Sequence, residues 1–410
     1  MIQQTWLVQP EQPMPPLNER YHFTMAKAGT GVNLFGETVP AGYLDSDFRV
    51  LINGADVSQS FSSLTFAAGD DVIIARAEGS RITRMPKLAV SSSSVPKASS
   101  GAVNSIRTVV EALPTFAGTD ADYLFAGCTF MTGPLPAGMF SNNPQLVSLQ
   151  YTFYGCSELA GAIPADMLSG CTEVKWFNDL FRGCLKLSGS IPPALFADCT
   201  KVTDFSEAFF DCRGLAGPLP VELFSYAPEA LYFKKTFAYC TRVSGSIPED
   251  MFINNTKTVS FLTVFYGCSN LSGTIPEDLF SHAPECTDMG FMFNNCINLT
   301  GGIPEHLFDR NPLVTSFADT FQGCTKLSGV VPRALFANNP AVKRFMGTFR
   351  GCSKLLASEL DIPAENVSET NQFKYATQPV FIVHVKEGTA TESMFRSVES
   401  ATNIVVMADL

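Results

Sequence analysis

A cysteine recurs every 28 residues along most of this 410-residue chain, and that period constrains the fold more than any other feature. The series has nine members: Cys128, Cys156, Cys184, Cys212, Cys240, Cys268, Cys296, Cys324 and Cys352. A phenylalanine stands three residues before each one, and Ile-Pro, Leu-Pro or Val-Pro follows seven and eight residues after eight of the nine. One such unit cannot bury its apolar side chains alone, so the period predicts a solenoid of stacked units.

Each unit contains two patterns, which predict two elements. Residues 271–275 (Leu-Ser-Gly-Thr-Ile) alternate as in a short strand, and Pro276 ends it because proline has no N–H for a ladder. The second half follows one face of a helix, at Val314, Phe317, Phe321 and Cys324. An Asn-Pro pair that predicts a helix N-cap precedes this half at Asn143-Pro144, Asn311-Pro312 and Asn339-Pro340. We therefore predict an α/β solenoid of nine 28-residue strand-helix coils over residues 105–363.

Two stretches show the motif most fully, Phe-Tyr-Gly-Cys-Ser-Glu-Leu (153–159) and Phe-Tyr-Gly-Cys-Ser-Asn-Leu (265–271). They resemble the repeat of bacterial BspA-like leucine-rich-repeat surface proteins, and Leu-Ser-Gly-Thr-Ile-Pro (271–276) is similar to the plant-type leucine-rich repeat. The 28-residue length and the Pro-x-x-Leu-Phe turn depart from both families. The plant-type register would put the strand at 317–321, but that stretch does not alternate, so Leu-x-Gly-x-Ile is preferred. The resemblance implies adhesion or recognition.

Four further segments flank the repeat: an extended Pro-rich arm (1–20), a small all-β sandwich (21–90), a Ser-rich linker (91–104) and a C-terminal cap (364–410). Strands of the sandwich are predicted at 21–25, 48–52, 64–66 and 72–77, with a hairpin loop at 67–70. The cap is predicted from strands at 380–385 and 403–407 around a helix at 391–398. Such an element is expected where a solenoid must cover its last open coil.

Charge and hydropathy exclude several classes of partner. The net charge of −11 argues against nucleic acid or an anionic membrane, since phosphate binding needs clustered Lys and Arg. No apolar run reaches the roughly 18 residues that span a bilayer, so we expect no membrane insertion. The N-terminal stretch has neither the basic nor the apolar region of a signal peptide, so export by that route is not expected.

The cysteines predict structure rather than chemistry. Their spacing fits neither a zinc site nor a CxxC redox motif, so we expect buried thiols, no metal and no cofactor. Cys171 and Cys199 lie one coil apart on a second column, where a disulfide stays open as an alternative. Cys286 follows His282 by four residues, but it occupies an inward position, so no catalytic role is expected.

Two sets of variable residues are candidates for contact with a partner. Outward aromatic residues of the predicted helices are Tyr151, Tyr154, Trp176, Phe210, Tyr232, Tyr266 and Phe291. An acidic stripe is predicted after successive Ile-Pro or Leu-Pro pairs, at Glu222, Glu249, Asp250, Glu277, Asp278 and Glu305. Its carboxylates suit the start of a helical turn, and the alternative is a site for Ca²⁺ or a basic partner.

These patterns predict a non-enzymatic binding or structural protein. The first hypothesis is a bacteriophage virion protein (tail, host-recognition or decoration), assembled in the host cytoplasm. Its arm and β domain would bind other virion proteins, and its solenoid would face a host glycan or protein. The alternative is a BspA-like adhesin of the bacterial cell surface, and a cytoplasmic scaffold ranks third. A glycan hydrolase needs two acids roughly 5–10 Å apart in a groove, and the sequence marks no such pair. The ligand and the oligomeric state stay open.

Overall fold

The computed structural model of the chain describes residues 16, 19–26, 29–32, 44, 47–57, 64–77, 106–368, 381–399 and 404–410. The predicted Ser-rich linker lies outside the described residues, and so does nearly all of the predicted Pro-rich arm. No helix within the described part of the chain is long and apolar enough to cross a bilayer.

The N-terminal part is an antiparallel β structure. Its strands are β1 (Arg20–Met25), β2 (Gly29–Val32), β3 (Phe48–Ile52), β4 (Ala55–Val57), β5 (Leu64–Phe66), β6 (Asp71–Arg76) and β7 (Ile106–Val109). Five of them form one sheet in the order β4-β3-β6-β1-β7, and β2 pairs with β5 in another. The loop after β5 is not a hairpin as predicted, because β5 and β6 belong to different sheets. Within that loop, Gly69 N donates instead to Met25 O at the end of β1 (2.8 Å).

Strand β7 joins this sheet to the solenoid. It pairs with β1 on one side, and its Arg107 carbonyl accepts a hydrogen bond from Thr132 N of the first coil (2.9 Å). One apolar core runs from Tyr21 in β1 to Val406 near the C-terminus. The N-terminal sheet and the coils are therefore a single packed body.

The core of the solenoid is built from columns of identical residues. The nine repeated cysteines and the nine phenylalanines three residues before them are buried. Successive rings of this phenylalanine column are stacked with centroids 5.2–6.0 Å apart. A column of aromatic side chains buries a large apolar area in every coil and aligns the coils in register.

No α-helix lies within residues 106–363, so the helix predicted for each coil is wrong. The segment is a series of β-turns; Thr320 N, for example, donates to Phe317 O three residues earlier (3.3 Å). Two residues of this coil have left-handed φ, Asp319 at 51° and Gly323 at 72°. A right-handed helix cannot contain such residues, whereas a type II turn requires one. Turns of this length return side chains inward every three or four residues, which imitates the helical pattern.

Coils are joined most densely through the turn segment itself, where alternate N–H groups donate to the following coil. Phe317 N donates to Arg344 O and Phe321 N to Thr348 O, both at 2.9 Å. The predicted strand at Leu-x-Gly-x-Ile is present only as single parallel bridges, such as Gly273 with Leu299, and as one pair of two-residue strands. That pair is β8 (Ser328–Gly329) and β9 (Lys354–Leu355). Parallel pairing is thus present in the predicted stretch, although more of the backbone bonds between coils lie in the stretch that contains 317–321.

Buried side chains add a second set of bonds between coils. From Cys156 onward, each repeated cysteine donates its S–H to the carbonyl of the phenylalanine 31 residues earlier, at 2.9–3.1 Å. Asn311, predicted as an N-cap, is instead fully buried and donates to Phe280 O (3.0 Å) and Ala283 O (2.9 Å) of the previous coil. Asn339 makes the equivalent two bonds, and Asn143 donates to Pro114 O (3.0 Å). With no helix to cap, these amides satisfy carbonyls of the neighbouring turn.

The C-terminal part continues the stack. Strands β10 (Ser358–Ile362), β11 (Phe381–Val385) and β12 (Ile404–Ala408) form a parallel sheet in that order, with helix α1 (Ala390–Glu399) between β11 and β12. The helix and the two strands predicted here are present. The ring of Phe381 stacks on Phe349 at 5.3 Å, so the phenylalanine column passes from the last coil into this sheet.

Candidate binding surface

One face of the solenoid carries most of the variable side chains. It is formed by the outward residues eight, six, five and two positions before each repeated cysteine, and we call it the turn face. All seven predicted contact aromatics belong to it: Trp176 and Tyr232 at eight before, Tyr151 and Phe291 at five before, and Tyr154, Phe210 and Tyr266 at two before. Five of them lie on turns, and Trp176 and Tyr232 lie at parallel bridges between coils, rather than on the helices predicted for them.

The residue five positions before the cysteine has left-handed backbone in every coil. Its φ lies between 51° and 63°, and only Gly347 among the nine residues is a glycine. The others are Tyr123, Tyr151, Asp179, Glu207, Lys235, Thr263, Phe291 and Asp319. A side chain in the left-handed region costs about 1 kcal/mol or more compared with glycine. Eight coils bear this cost, so contacts of these side chains, within the stack or with a partner, must offset it.

Several turn-face aromatics pack on one another. Tyr123 and Tyr151 are stacked with centroids 4.7 Å apart and rings 3° from parallel, and Tyr154 lies 5.8 Å from Tyr151. Farther along, the Tyr239 ring contacts Phe210 (5.5 Å) and Tyr266 (5.0 Å) edge to face. The turn-face rings in these contacts are partly covered, so they form the supporting floor of the face; Tyr239, which stands one residue before its cysteine and borders the face, is 38% exposed.

Arg182 links three coils at the centre of this floor. Its guanidinium donates to Asp179 Oδ1 of its own coil (3.0 Å) and to Glu207 of the next coil. The same group lies over the rings of Tyr154 (5.4 Å) and Phe210 (4.7 Å), which belong to the coils on either side. A planar cation held in this way contributes both ion pairing and cation–π attraction.

The carboxyl group of Asp179 is almost covered by its neighbours. Burial raises its pKa to about 6, and the nearby Glu207 carboxylate acts in the same direction, although Arg182 and Tyr151 form hydrogen bonds with it. Burial and the charge of Asp179 raise the pKa of Tyr151 to about 12. Lys235 Nζ, 3.1 Å from Glu207 Oε1, completes the cluster.

Sequence reasoning missed this charged cluster, because its members occupy variable positions. The signal that could have found it is spacing: opposite charges one period apart meet on adjacent coils. Lys235 follows Glu207 by 28 residues, as Lys201 follows Glu173 and Lys257 follows Glu229 in further ion pairs.

Trp176 and Tyr232 differ from the other aromatics of the face. They are 38% and 41% exposed, and neither ring is paired with another aromatic ring among the described residues. Their exposed ring surface is therefore available for contact with a partner.

The acidic stripe does not form a site. Glu249, Asp250, Glu277 and Asp278 are exposed on turns, not on the helical turn predicted for them, and none is in an ion pair with a described residue. The described part of the chain contains no group of three or more His, Cys, Asp or Glu that could hold a metal ion. The proposed Ca²⁺ alternative has no supporting geometry there.

The predicted Cys–His candidate is likewise not brought together. Cys286 is fully buried and burial raises its pKa to about 12, while His282 Nδ1 lies 2.9 Å from Ser281 Oγ at the surface. All twelve cysteines are buried free thiols in the structure, including Cys171 and Cys199.

No family model matches the sequence, and no curated protein matches it. Among solved structures, the crystal structure of the Arabidopsis receptor kinase HAESA with the peptide hormone IDA and the co-receptor SERK1 matches 70% of this chain and 59% of that chain, with 16% identity and a TM-score of 0.23. The crystal structure of a TLR13–ssRNA13 complex matches 66% of this chain and 54% of that chain, with 11% identity and a TM-score of 0.14. The chain thus spans less than two thirds of either one. Scores this low carry no argument about fold or function, and the stacked-repeat solenoid rests on the bonds between coils described above.

Proposed function

We propose that this chain is a non-enzymatic binding protein, in which the solenoid is a scaffold and the turn face is the recognition surface. The observation that carries the proposal is the column of non-glycine residues at a left-handed position in eight coils. Selection for stability alone would favour glycine there, as in Gly347. Recognition gives those side chains, and the exposed aromatics beside them, a reason to be displayed.

We further propose that the protein is displayed on a bacteriophage virion, as a tail, host-recognition or decoration protein assembled in the host cytoplasm. Twelve buried thiols with no disulfide support folding in a reducing compartment. The continuous pairing through β7 supports a division in which the N-terminal sheet attaches to the particle and the coils face outward. A BspA-like adhesin of the bacterial surface is the second candidate, favoured by the F-x-G-C-x-x-L motif.

Binding is tested with the full chain, labelled with a fluorophore on its N-terminus, against a panel of bacterial cells. The Tyr232→Ala variant removes an exposed ring of the turn face. Tyr226→Ala is the matched control, since Tyr226 is 39% exposed but follows the Pro-x-x-Leu-Phe motif (220–224) by two residues, outside that face.

Saturable cell binding that is weakened by Tyr232→Ala and unchanged by Tyr226→Ala supports the proposal. Failure to bind any cell, equal effects of the two variants, or release of sugar products from host polysaccharide overturns it. Mass spectrometry of purified particles decides the setting, and absence of the chain from them removes the virion hypothesis.

A further inference from the structure

The position eight residues before each cysteine has a structural task in several coils. A small polar side chain there accepts a hydrogen bond from the N–H two residues later, as Asp204 does from Ser206 N (2.7 Å) and Asp288 from Gly290 N (3.1 Å). Ser260 and Ser316 make the corresponding bonds at 3.3 Å. Such local bonds satisfy a turn N–H that the ladder leaves unpaired.

Trp176 and Tyr232 occupy this same position and cannot perform the task. The N–H groups they would have served, Asn178 N and Lys234 N, have no acceptor among the described residues. Each replacement forgoes a hydrogen bond worth about 1 kcal/mol. Each ring still keeps about two fifths of its surface exposed, and neither is paired with another aromatic ring among the described residues. Two exposed rings thus stand where neighbouring coils have a turn acceptor, which makes them candidates for contact with a ligand.

The two rings are aligned by the stack. Parallel bridges pair Trp176 with Asp204 and Asp204 with Tyr232, so the three residues form one column on three successive coils. With coils about 4.8 Å apart, the two aromatic positions are separated by about 10 Å. Asp204 lies between them, and its carboxylate accepts from Asn178 Nδ2 (2.6 Å) and Ser206 N, which leaves further lone pairs for a ligand.

We propose that Trp176, Asp204 and Tyr232 form a binding platform for a linear, neutral oligosaccharide; this inference rests on the proposed function and names its ligand. Flat aromatic faces carry negative charge that attracts the C–H bonds of a sugar ring. The Asp204 carboxylate accepts from sugar hydroxyls, and the N–H groups of Asn178 and Lys234 donate to sugar oxygens. An uncharged chain suits a protein of net charge −11 better than an anionic one. Two rings on a flat surface select an extended chain rather than a single sugar.

The test uses tryptophan fluorescence of the full chain carrying Trp6→Phe, which leaves Trp176 as the sole tryptophan. Neutral oligosaccharides of α and β linkage, from two to eight sugars long, are the probes. We expect a saturable change in Trp176 emission, with affinity that rises at least about tenfold once the chain is long enough to reach both rings. Tyr232→Ala should abolish that dependence on length while the signal from Trp176 remains, and Tyr226→Ala should leave both unchanged.

A parallel arm uses the labelled chain on cells treated either with periodate, which cleaves sugar diols, or with a protease. Loss of binding after periodate supports the platform even where no oligosaccharide of the panel fits. Binding that survives periodate and is lost with protease overturns it, because the partner is then a protein, and it leaves the proposed function standing. Absence of binding to any cell and any sugar overturns both proposals.

Discussion

Substitution of Asn255 by alanine tests whether the buried amides hold the coils together. Asn255 is fully buried, and its Nδ2 donates to Phe224 O (3.2 Å) and Ala227 O (2.8 Å) of the previous coil. Loss of two such bonds costs about 1 kcal/mol each. Removal of the amide also leaves a small void, but it relieves the buried Asn255 Oδ1, which has no hydrogen-bond partner among the described residues. These last two effects oppose each other, so we expect the free energy of unfolding to fall by about 2 kcal/mol.

The neighbouring residue provides the control. Asn254 donates from Nδ2 to Ser225 O at 3.0 Å, but this bond is exposed to water. Asn254→Ala should therefore change stability by less than about 0.5 kcal/mol. Equilibrium unfolding in urea, followed by circular dichroism, gives the free energy of unfolding of each variant and of the parent. The comparison requires that the free energy has the same dependence on urea concentration in all three proteins.

Equal stabilities of the two variants would refute the reasoning, since the buried bonds would then contribute nothing beyond an exposed one. A loss much larger than about 4 kcal/mol would refute it as well, because two neutral hydrogen bonds and a small void cannot supply it. Ala227 and Ala283 already occupy this column in two coils, so the stack tolerates alanine there.

Three further outcomes follow from other parts of the structure. Burial raises the pKa of Asp179 from the ordinary value of 3.8 to about 6, so the folded state binds a proton more tightly than the unfolded state does. The free energy of unfolding should therefore fall as pH rises from about 4 to 6. Asp179→Asn should remove that fall when urea unfolding is measured across this pH range. Burial raises the pKa of thiols such as Cys240 to about 12, so a thiol-reactive disulfide reagent at pH 8 should label no cysteine of the folded chain. All twelve cysteines should react once the chain is unfolded in guanidinium. Rapid labelling of the folded chain would contradict this. Phe237 is fully buried and stacks on Phe209 and Phe265, so Phe237→Ala should cost about 3–5 kcal/mol in thermal or urea unfolding, whereas Tyr226→Ala should cost little.

The repeat and its inward residues could be predicted from the sequence, because apolar burial imposes a regular pattern on the chain. Phe317, Phe321 and Cys324 point inward as expected. The element that carries them could not be predicted in this way. Turns of three and four residues give the same inward spacing as a helix, and only φ distinguishes them.

Only one of the two left-handed positions in each coil carries a residue type that reveals its positive φ. Gly323, just before the cysteine, marks one left-handed position, and glycine recurs there in most coils. The other position carries residues such as Lys235 and Thr263, which give no hint of a positive φ. The non-glycine residues at this second position, which make the turn unrecognisable in the sequence, are also residues of the turn face.

The sequence names candidate contact residues but not how they are organised. All seven contact aromatics lie on one face, yet periodicity does not separate the rings that support it from the rings that stand out. Trp176 and Tyr232 are distinguished by the turn bond they forgo, and that bond is visible only once Asp204 is seen to make it. The acidic stripe is periodic in the sequence as well, but its residues lie exposed on successive turns and form no binding site among the described residues.

The direction of the bonds between coils determines how the molecule would respond to a mechanical load. The backbone hydrogen bonds between coils are directed along the stack. A force applied between the N-terminal sheet and the C-terminal sheet would therefore break them one coil at a time, starting from an end. Each coil that detaches releases 28 residues, about 95 Å of extended chain, while the coils behind it keep their own contacts. A chain anchored at one end and bound at the other would thus lengthen in steps under strain and shorten again when the strain is released.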